Sequence, residues 1–346
     1  MSTVDVTVRG AGVFGLSIAY ACLRRGARVR VVDPHGVGFG ASGGVVGALA
    51  PHTPENWNEK KAFQFESLLM AEAFWRDVDA TSGGASGYER TGRLQPIADE
   101  RGLDLARARA EEAKTLWQGK ATWEVVPSAA ATGWAPGSPT DYLIHDTLSA
   151  RVHPKRAVES LAAAVLTLGG TLTTEAEDAG QVVWAAGYRG LEDLSRQFGK
   201  SVGTGVKGQA LVVDYPADAA PQIFAEGLHI VPHADRTVAI GSTSEREFAD
   251  PDATDDQIDD LHARAIAAMP VLEGRTVLLS WAGVRPRAKS RAPMLGAYPD
   301  RPGHFIANGG FKIGFGMAPK VAQIMADLVL EGRDAIPEGF RVEANL

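Results

Sequence analysis

The first 33 residues contain the pattern that most restricts what this chain can fold into. An extended apolar run, VDVTVRG, leads into three glycines with GxGxxG spacing (Gly10, Gly12 and Gly15), and a helical run then precedes a second strand that ends at Asp33. Strand, turn, helix and strand in this order predict a βαβ unit with parallel strands. The glycines would let the backbone approach a pyrophosphate at the helix N-terminus, and the acid would accept a hydrogen bond from a ribose hydroxyl. The pattern therefore predicts a dinucleotide site that disfavours a 2′-phosphate.

The rest of the chain alternates between two kinds of sequence pattern. Segments of the βαβ kind occur at both ends and in the middle, whereas short alternating runs typical of antiparallel sheet lie between residues 205 and 245. We expect helices at about residues 60–80, 97–118 and 254–269. A chain of 346 residues is long enough for two domains. We predict an α/β fold in which a Rossmann-like domain is interleaved with an α+β substrate domain on a mixed or antiparallel sheet. The first domain would comprise residues 1–82, 148–204 and 282–346, and the second residues 83–147 and 205–281.

Charge and cysteine content exclude several classes of protein. The net charge is −7, so no global attraction to nucleic acid or to an anionic membrane is expected. The single cysteine, Cys22, cannot form a disulfide within the chain, which favours a reducing compartment. We find neither zinc-ligand spacing, nor a signal peptide, nor a run of 18 apolar residues. We therefore expect a cytoplasmic protein with no metal, nucleic-acid or membrane partner.

A basic stretch near the C-terminus stands out in this acidic chain. WAGVRPRAKSRAPMLG carries Arg285, Arg287, Lys289 and Arg291 at alternate positions, which would share one face of a strand. Pro286 cannot donate to a sheet ladder, so a regular strand through all four cations is not expected. We expect the last three cations to form a turn that faces solvent or a partner.

Five segments, in this order, resemble one family of flavoproteins. They are VRGAGVFGLSIAYACLRRGARVRVVD, GASGGVVGALAP, VVWAAGYRG, GVRPRAKSRAPMLG and GGFKIGFGMAP. The chain resembles the D-amino-acid oxidase, glycine oxidase and sarcosine oxidase family over essentially its whole length. It is most similar to bacterial glycine-oxidase-like proteins, some of which serve thiamine biosynthesis. The resemblance implies a Rossmann-like domain of the GR2 type that binds FAD non-covalently, with Cys22 packed in the first helix and not attached to the flavin.

The resemblance also assigns residues to the cofactor. Gly10, Gly12, Gly15 and Asp33 would hold the ADP half, while Ala41, Ser42 and Gly43 would line the pyrophosphate and ribityl region. The remaining cofactor-binding residues implied are Val13, Phe14, Gly47, Ala48, Ala186, Gly187, Gly310, Lys312, Ile313 and Gly314. The glycines of the closing segment permit close approach to a flat ring, and a helix that begins near Met317 would aim its positive end at that ring. The run from 171 to 181 is shorter than in relatives, which leaves the adenine contacts open.

At the substrate end, the arginine of the family's GxRP segment binds the substrate carboxylate, and this position is Arg285. Lys312 is either its companion in a positive pocket or an exposed lysine in a turn. His229 either replaces the tyrosine that relatives carry in a YIVP strand or marks a site that is built differently. His52 either borders the flavin or lies on an exposed loop.

The resemblance implies oxidative deamination of a small amino acid or secondary amine that carries a carboxylate. Hydride would pass from the substrate Cα to flavin N5, the imine would hydrolyse to a 2-oxo acid, and O2 would be reduced to H2O2. Three alternatives stay open. They are a dehydrogenase with a non-oxygen acceptor, an oxidase acting on an aminomethyl-modified tRNA base, and a non-catalytic flavin-binding protein. A homo-oligomer is possible.

Overall fold

The computed structural model of the chain describes residues 4–131 and 133–346. Its strands, in chain order, are β1 (Val6–Arg9), β2 (Val29–Val32), β3 (Ala48–Leu49), β4 (Arg93–Pro96), β5 (Trp123–Pro127), β6 (Tyr142–Asp146), β7 (Ala150–Arg151), β8 (Thr171–Thr173), β9 (Gln181–Trp184), β10 (Gly203–Asp214), β11 (Gln222–Ala225), β12 (Leu228–Pro232), β13 (Thr237–Gly241), β14 (Val277–Ala288), β15 (Met294–Ala297) and β16 (His304–Asn308). Its α-helices are α1 (Val13–Leu23), α2 (Glu59–Ser82), α3 (Glu100–Leu116), α4 (Pro154–Thr167), α5 (Gly187–Gln197), α6 (Gln257–Ala268) and α7 (Gly314–Glu331). The three helices expected at about 60–80, 97–118 and 254–269 are α2, α3 and α6, each within a few residues of the expected ends.

The first sheet has six strands in the order β15-β16-β9-β1-β2-β8. Neighbouring strands are parallel except β15, which is antiparallel to β16. Val6 and Val8 of the central strand are fully buried, as expected where helices cover a parallel sheet. Helices α1 and α2 both pack against α4 and α7. The predicted parallel βαβ unit is therefore confirmed, and it lies at the centre of this sheet.

The second sheet has eight strands in the order β14-β10-β13-β12-β11-β4-β6-β5. Its pairs are antiparallel except β11 and β4, which are parallel. Helix α6 packs on this sheet, and Leu211, Ile230, Ile240 and Leu261 are among the buried residues of its own core. The architecture is thus the predicted α/β class, with a Rossmann-like part beside a mixed, mostly antiparallel sheet.

The division of the chain into two domains stays a prediction. Every strand of the six-stranded sheet falls in one of the three segments assigned to the dinucleotide-binding domain. The expected boundary between residues 281 and 282, however, falls inside β14, which pairs with β10 from Val277 to Ala288. We propose that the last segment of that domain begins after Ala288.

As expected, no regular strand runs through all four cations of the basic stretch, because β14 ends at Ala288. Arg287, however, was expected in the turn and lies in the strand. Arg285, Pro286 and Arg287 all pair with β10 in the regular antiparallel register of β14. The physical reason is that β14 is the edge strand of its sheet, where a proline can leave its missing N–H on the unpaired side. Lys289 and Arg291 follow the strand and are exposed, as predicted for the end of the stretch.

The last helix is apolar enough to resemble a membrane span. Among the described residues, Phe311–Glu331 alone has the length and mean hydropathy to cross a bilayer, and 56% of that window is buried inside the protein. Helix α7 packs against α1 and α2, so its apolar face is covered by other helices. The helix also begins at Gly314 and not near Met317 as predicted, since a single 3₁₀ turn, Phe311–Ile313, leads directly into it.

Candidate functional site

A cavity of about 790 Å³ is lined by residues of both large sheets. The carboxyl ends of β1, β2 and β9 contribute from one side, and β10, β12, β13 and β14 contribute from the other. Ligands of open parallel sheets bind at the carboxyl ends of the strands, which is the edge that faces this cavity. Its volume lies in the upper part of the range for small-molecule sites.

The glycine turn between β1 and α1 forms one wall of the cavity. Gly10 has φ +121°, and a Cβ at this position would lie 2.3 Å from the carbonyl oxygen of Ala185. Gly15 does not line the cavity; a Cβ there would lie 1.9 Å from the Gly10 carbonyl oxygen, so it lets α1 pack closely on the turn. Gly12 lines the cavity, and within the described ranges its backbone N–H has no acceptor. The turn thus presents bare backbone to the cavity.

Asp33 lies beside this turn at the end of β2. Its carboxylate accepts hydrogen bonds from the backbone N–H groups of Ala11, at 2.8 Å, and His35, at 2.9 Å. These two bonds hold the side chain at the cavity wall, where the sequence pattern places the acceptor for a ribose hydroxyl.

The loop that precedes β3 packs onto the start of α1. Ser42 Oγ accepts a hydrogen bond from the backbone N–H of Val13 at 3.0 Å, and Ala41 and Ser42 both line the cavity. Gly43 does not line it; a Cβ there would lie 2.1 Å from the Gly38 carbonyl oxygen, so Gly43 permits the tight loop. The other predicted cofactor residues that line this cavity are Val13, Phe14, Gly47, Ala48, Ala186, Gly187, Gly310, Lys312 and Gly314, whereas Ile313 lines a smaller adjoining chamber.

Arg9 precedes the glycine turn and has no obvious role in the sequence. Its guanidinium donates to Asp178 at 2.7 Å and to the carbonyl oxygen of Ala176 at 2.8 Å, and it lies 5.8 Å from the centre of the Trp184 ring. Arg9 therefore anchors the short 171–181 segment. Thr174, Glu175 and Ala176 of that segment line the cavity, so they are the residues available for contact at this end.

The residues that line the two ends of the cavity fit the two ends of FAD. One end offers unpartnered backbone N–H at a helix N-terminus and a positioned carboxylate. At the other end, Gly309, Gly310 and Gly314 line the cavity with backbone, beside the side chains of Phe311 and Lys312 and the N-terminus of α7. A Cβ at Gly310 would lie 2.9 Å from the Phe14 ring, which shows how closely the two cofactor-facing turns approach. The residues fit a long dinucleotide with a flat, polar-edged ring.

Arg285 lies at the far end of the cavity from the glycine turn. Its guanidinium donates to Ser242 Oγ at 2.5 Å and to the carbonyl oxygens of Lys207, at 3.0 Å, and Thr243, at 2.8 Å. A guanidinium has five donor hydrogens, so two remain, and Nε has no acceptor among the described residues. Burial lowers the pKa of Arg285 to about 10, which nearby Glu245 partly offsets. The Arg285 guanidinium is therefore a cation held in a fixed position at neutral pH, and it has hydrogen-bond donors that no protein acceptor uses.

Lys312 and His229 share this end of the cavity. Lys312 lies in the 3₁₀ turn Phe311–Ile313, where it is both exposed and part of the cavity lining, so its assignment as a companion of Arg285 stays a prediction. Partial burial, followed by repulsion from Arg285, lowers the pKa of Lys312. His229 Nδ1 is buried without a partner, and burial together with Arg93 and Lys312 lowers the pKa of His229 to about 3. His229 is thus a neutral imidazole and a weak base.

Several cavity residues were missed by sequence reasoning. Phe224 and Trp281 form walls near Arg285, and Ser242 holds its guanidinium. At the other end, His35 stacks on Phe39 at 4.6 Å between ring centres, and Arg189 lies over Phe39 at 5.9 Å. Trp281 stands two residues before the GVRP segment, so its type and position could have marked it. The other five have no local pattern that indicates a site.

Two further expectations concern metal and cysteine. No group of three or more His, Cys, Asp or Glu side chains is placed to hold a metal ion within residues 4–131 and 133–346. Cys22 is buried in α1, and burial raises the pKa of its thiol to about 12. It does not line the cavity, which agrees with packing in the first helix.

Comparison with known proteins agrees with this geometry. The family described as FAD dependent oxidoreductase (DAO) matches residues 5–328. Glycine oxidase of Pseudomonas putida is 28% identical over 375 residues, covering 99% of each chain, and glycine oxidase of Geobacillus kaustophilus is 27% identical, covering 94% of this chain and 92% of the relative. The crystal structure of glycine oxidase from Geobacillus kaustophilus superposes with a TM-score of 0.84 at 23% identity, covering 98% of each chain. Glycine turn, positioned acid, two-sheet architecture and family match together show that this chain belongs to the DAO family and is an FAD-dependent oxidoreductase.

Proposed function

We propose that the protein oxidises a small amino acid or secondary amine that carries a carboxylate, and that O2 is its electron acceptor. The observation that carries this proposal is Arg285. Three protein acceptors hold its guanidinium at the cavity wall and leave donor hydrogens unused. A guanidinium held in this way binds a carboxylate with a defined orientation.

The chain's own residues would orient the substrate. Arg285 would bind the carboxylate, and Lys312 would add a second positive charge at the same end of the cavity. FAD, held between the glycine turn and the segment Gly309–Gly314, supplies a two-electron acceptor when it is bound. Because orientation supplies much of the rate in such reactions, no strong acid or base is required from the protein. This agrees with the weakly basic His229 in the cavity wall.

The net reaction balances with water and oxygen. An amino acid, O2 and H2O give a 2-oxo acid, an amine or ammonia, and H2O2. The carbon–nitrogen bond is oxidised to an imine, water hydrolyses the imine, and the two electrons and two protons reduce O2. The homo-oligomeric state and cytoplasmic location expected from the sequence stay predictions.

The test is an anaerobic screen of the FAD-loaded protein. Glycine, sarcosine, and D- and L-amino acids are each mixed with the protein, and bleaching of the flavin absorbance band is recorded. At least one carboxylate-bearing amine should bleach the flavin, and admitting O2 should restore the band with formation of H2O2. If turnover occurs only with an artificial dye, the protein is a dehydrogenase; if no amine bleaches the flavin, the proposed activity is wrong.

The tRNA alternative has its own readout. A protein that acts on a modified tRNA base would bind tRNA with strong salt dependence, because phosphate contacts dominate such affinity. The net charge of −7 disfavours such binding. Tight, salt-sensitive tRNA binding would therefore support that alternative against the small-molecule proposal.

A further inference from the structure

A side chamber of about 170 Å³ adjoins the substrate end of the main cavity. The two spaces share four lining residues, Ala48, Phe224, His229 and Lys312. The chamber therefore begins where Lys312 and His229 face the main cavity.

Arg93 is the most informative residue of the chamber wall. Its relative exposure is 6%, and its Nε donates to the fully buried Asp146 at 2.9 Å. Its guanidinium lies 5.9 Å from the centre of the Phe224 ring. Neither Nη group forms a hydrogen bond with any residue that the structure describes. One edge of a buried guanidinium is therefore available to a ligand in the chamber.

One other donor in the chamber lacks a partner. Lys312 Nζ forms no ion pair or hydrogen bond within the described residues, whereas the unpartnered His229 Nδ1 is buried away from the chamber space. Gln64 is not available, because its amide already accepts from the His52 backbone N–H at 2.7 Å and donates to the Ala50 carbonyl oxygen at 3.1 Å. The described lining contains no aspartate or glutamate. The chamber is thus built for a small anionic group.

An uncharged substituent would fit this chamber poorly. An alkyl group would cover the Arg93 Nη donors without pairing them, and leaving buried charged donors unpaired is unfavourable. A carboxylate pairs with the planar donor edge of a guanidinium in a bidentate manner and also accepts from a neighbouring ammonium.

We propose, on the basis of the proposed function, that this chamber binds a second carboxylate of the same substrate molecule. The preferred substrate class is then a dicarboxylic amine, either an acidic amino acid or an amine with two carboxymethyl groups. Arg285 binds the carboxylate next to the reacting carbon, and Arg93 binds the distal carboxylate, with Lys312 lying between the two sites. Arg93 is a specificity-determining residue of the reaction.

Isosteric substrate pairs test the proposal on the holoenzyme. Aspartate is compared with asparagine and glutamate with glutamine, in both chiral forms, and iminodiacetate with sarcosine. We expect kcat/KM to be at least about tenfold higher for the acid of the productive pair, since charge-assisted hydrogen bonds in buried sites have effects of this size. Equal kcat/KM within each pair would overturn the proposal.

Substitution of Arg93 should remove this preference. In Arg93→Gln the ratio of kcat/KM for the diacid to that for its neutral partner should fall about tenfold or more. Arg93→Lys keeps a charge beside Asp146 and protects the fold, but it lacks the planar donor edge, so its ratio should also fall. Arg101→Gln, which removes an exposed arginine at the start of α3, is the matched control and should keep the wild-type ratio. An unchanged ratio in both Arg93 variants, with FAD bound, would contradict the assignment.

A binding measurement separates failure of this proposal from failure of the proposed function. Calorimetry with succinate and with its monoamide, succinamate, reports on the chamber without turnover. Succinate should bind at least about tenfold more tightly than succinamate, and Arg93→Gln should abolish the difference. If monocarboxylic amines are oxidised but succinate shows no advantage, only the second-carboxylate site is wrong. If succinate binds selectively but no amine reduces the flavin, the proposed amine oxidation is wrong and the anion site stands.

Discussion

The two ends of the main cavity are lined by different kinds of protein group. The dinucleotide end consists mainly of backbone and small residues, such as Gly10, Gly12 and Ser42, which lie close together in sequence or pack directly on one another. The substrate end consists of long polar side chains from separate elements, namely Arg285 on β14, His229 on β12 and Lys312 in the turn before α7.

This difference determines how each end responds to mutation. A backbone surface has no side chain to remove, so it fails when an added atom occupies the space. A set of converging side chains loses one contact at a time, so each substitution should change recognition by a limited amount.

Gly10→Ala should have the largest effect. The added Cβ would lie 2.3 Å from the Ala185 carbonyl oxygen, and the residue would keep a φ of +121°. Strain and overpacking together should cost about 2–4 kcal/mol of folding stability. Relief of the clash should displace the glycine turn and weaken FAD binding by about tenfold or more. FAD affinity is measured by titrating the apoprotein with FAD and following protein fluorescence.

Gly26→Ala is the matched control for this variant. Gly26 also has a positive φ, +84°, but no atom lies within 4 Å of the position of an added Cβ. It should lose some stability without loss of FAD affinity. Equal FAD affinity in the Gly10 and Gly26 variants would show that the glycine turn is not a close-contact surface.

Arg285→Ala should have the next largest effect. Removing the guanidinium removes the carboxylate partner, and truncation of one member of a buried charge pair costs about 2–5 kcal/mol. We expect kcat/KM for carboxylate-bearing amines to fall by about two to three orders of magnitude, mainly through KM, while FAD stays bound. Steady-state kinetics and the flavin absorbance spectrum of the purified variant measure both properties.

Arg287→Ala tests whether position or charge matters. Arg287 lies over the same Phe311 ring as Arg285, at 5.6 Å compared with 5.7 Å, but it does not line the cavity. Its loss should change kcat/KM less than about threefold, in line with a surface charge. A large effect here, or none in Arg285→Ala, would contradict the assignment of the carboxylate site.

The pH dependence of substrate binding should show the smallest and most diagnostic effect. Because burial and Arg285 lower the pKa of Lys312, its charge is lost at a pH below that of an ordinary lysine as the pH rises. KM for a carboxylate substrate should therefore increase on the alkaline side before pH 10.5, the usual lysine value. Lys312→Arg should move this limb to higher pH, and Lys312→Met should abolish it while raising KM at neutral pH. If the alkaline rise in KM occurs at the same pH in Lys312→Arg as in the unmodified protein, the rise reflects the titration of another group.

The amount that sequence reasoning could predict differs between the two ends for the same reason. The glycine turn and Asp33 could be predicted because their contacts run along a short stretch of chain with a repeated local geometry, whereas the Ala41–Ser42 loop was named through resemblance to a family. At the substrate end, Arg285 and Lys312 could be named only through resemblance to a family. Arg93 was missed, because a charged residue within a strand has no local pattern that distinguishes a binding site from an ion pair.

The errors also have physical causes. Arg287 was expected in the turn after Pro286, but β14 continues through both residues as an edge strand, and edge position depends on which strands pair across the whole sheet. The start of α7 was placed three residues late, since the glycines before Met317 suggested a loop while the structure continues them into the helix. Gly15, Gly43 and Ile313 do not line the main cavity, and their assignment to the cofactor stays a prediction.

The sequence by itself determined the βαβ unit, the dinucleotide site and the α/β class, because the spacing of glycines and apolar residues sets local backbone geometry. Only the tertiary structure decided which cations face the cavity, that Arg9 lies half-buried beside Trp184 and Asp178, and that Arg93 keeps unpaired donors in a side chamber. Those properties depend on the pairing of strands that lie far apart in the sequence and on how much water the packing of these strands excludes. No short stretch of residues determines either of them.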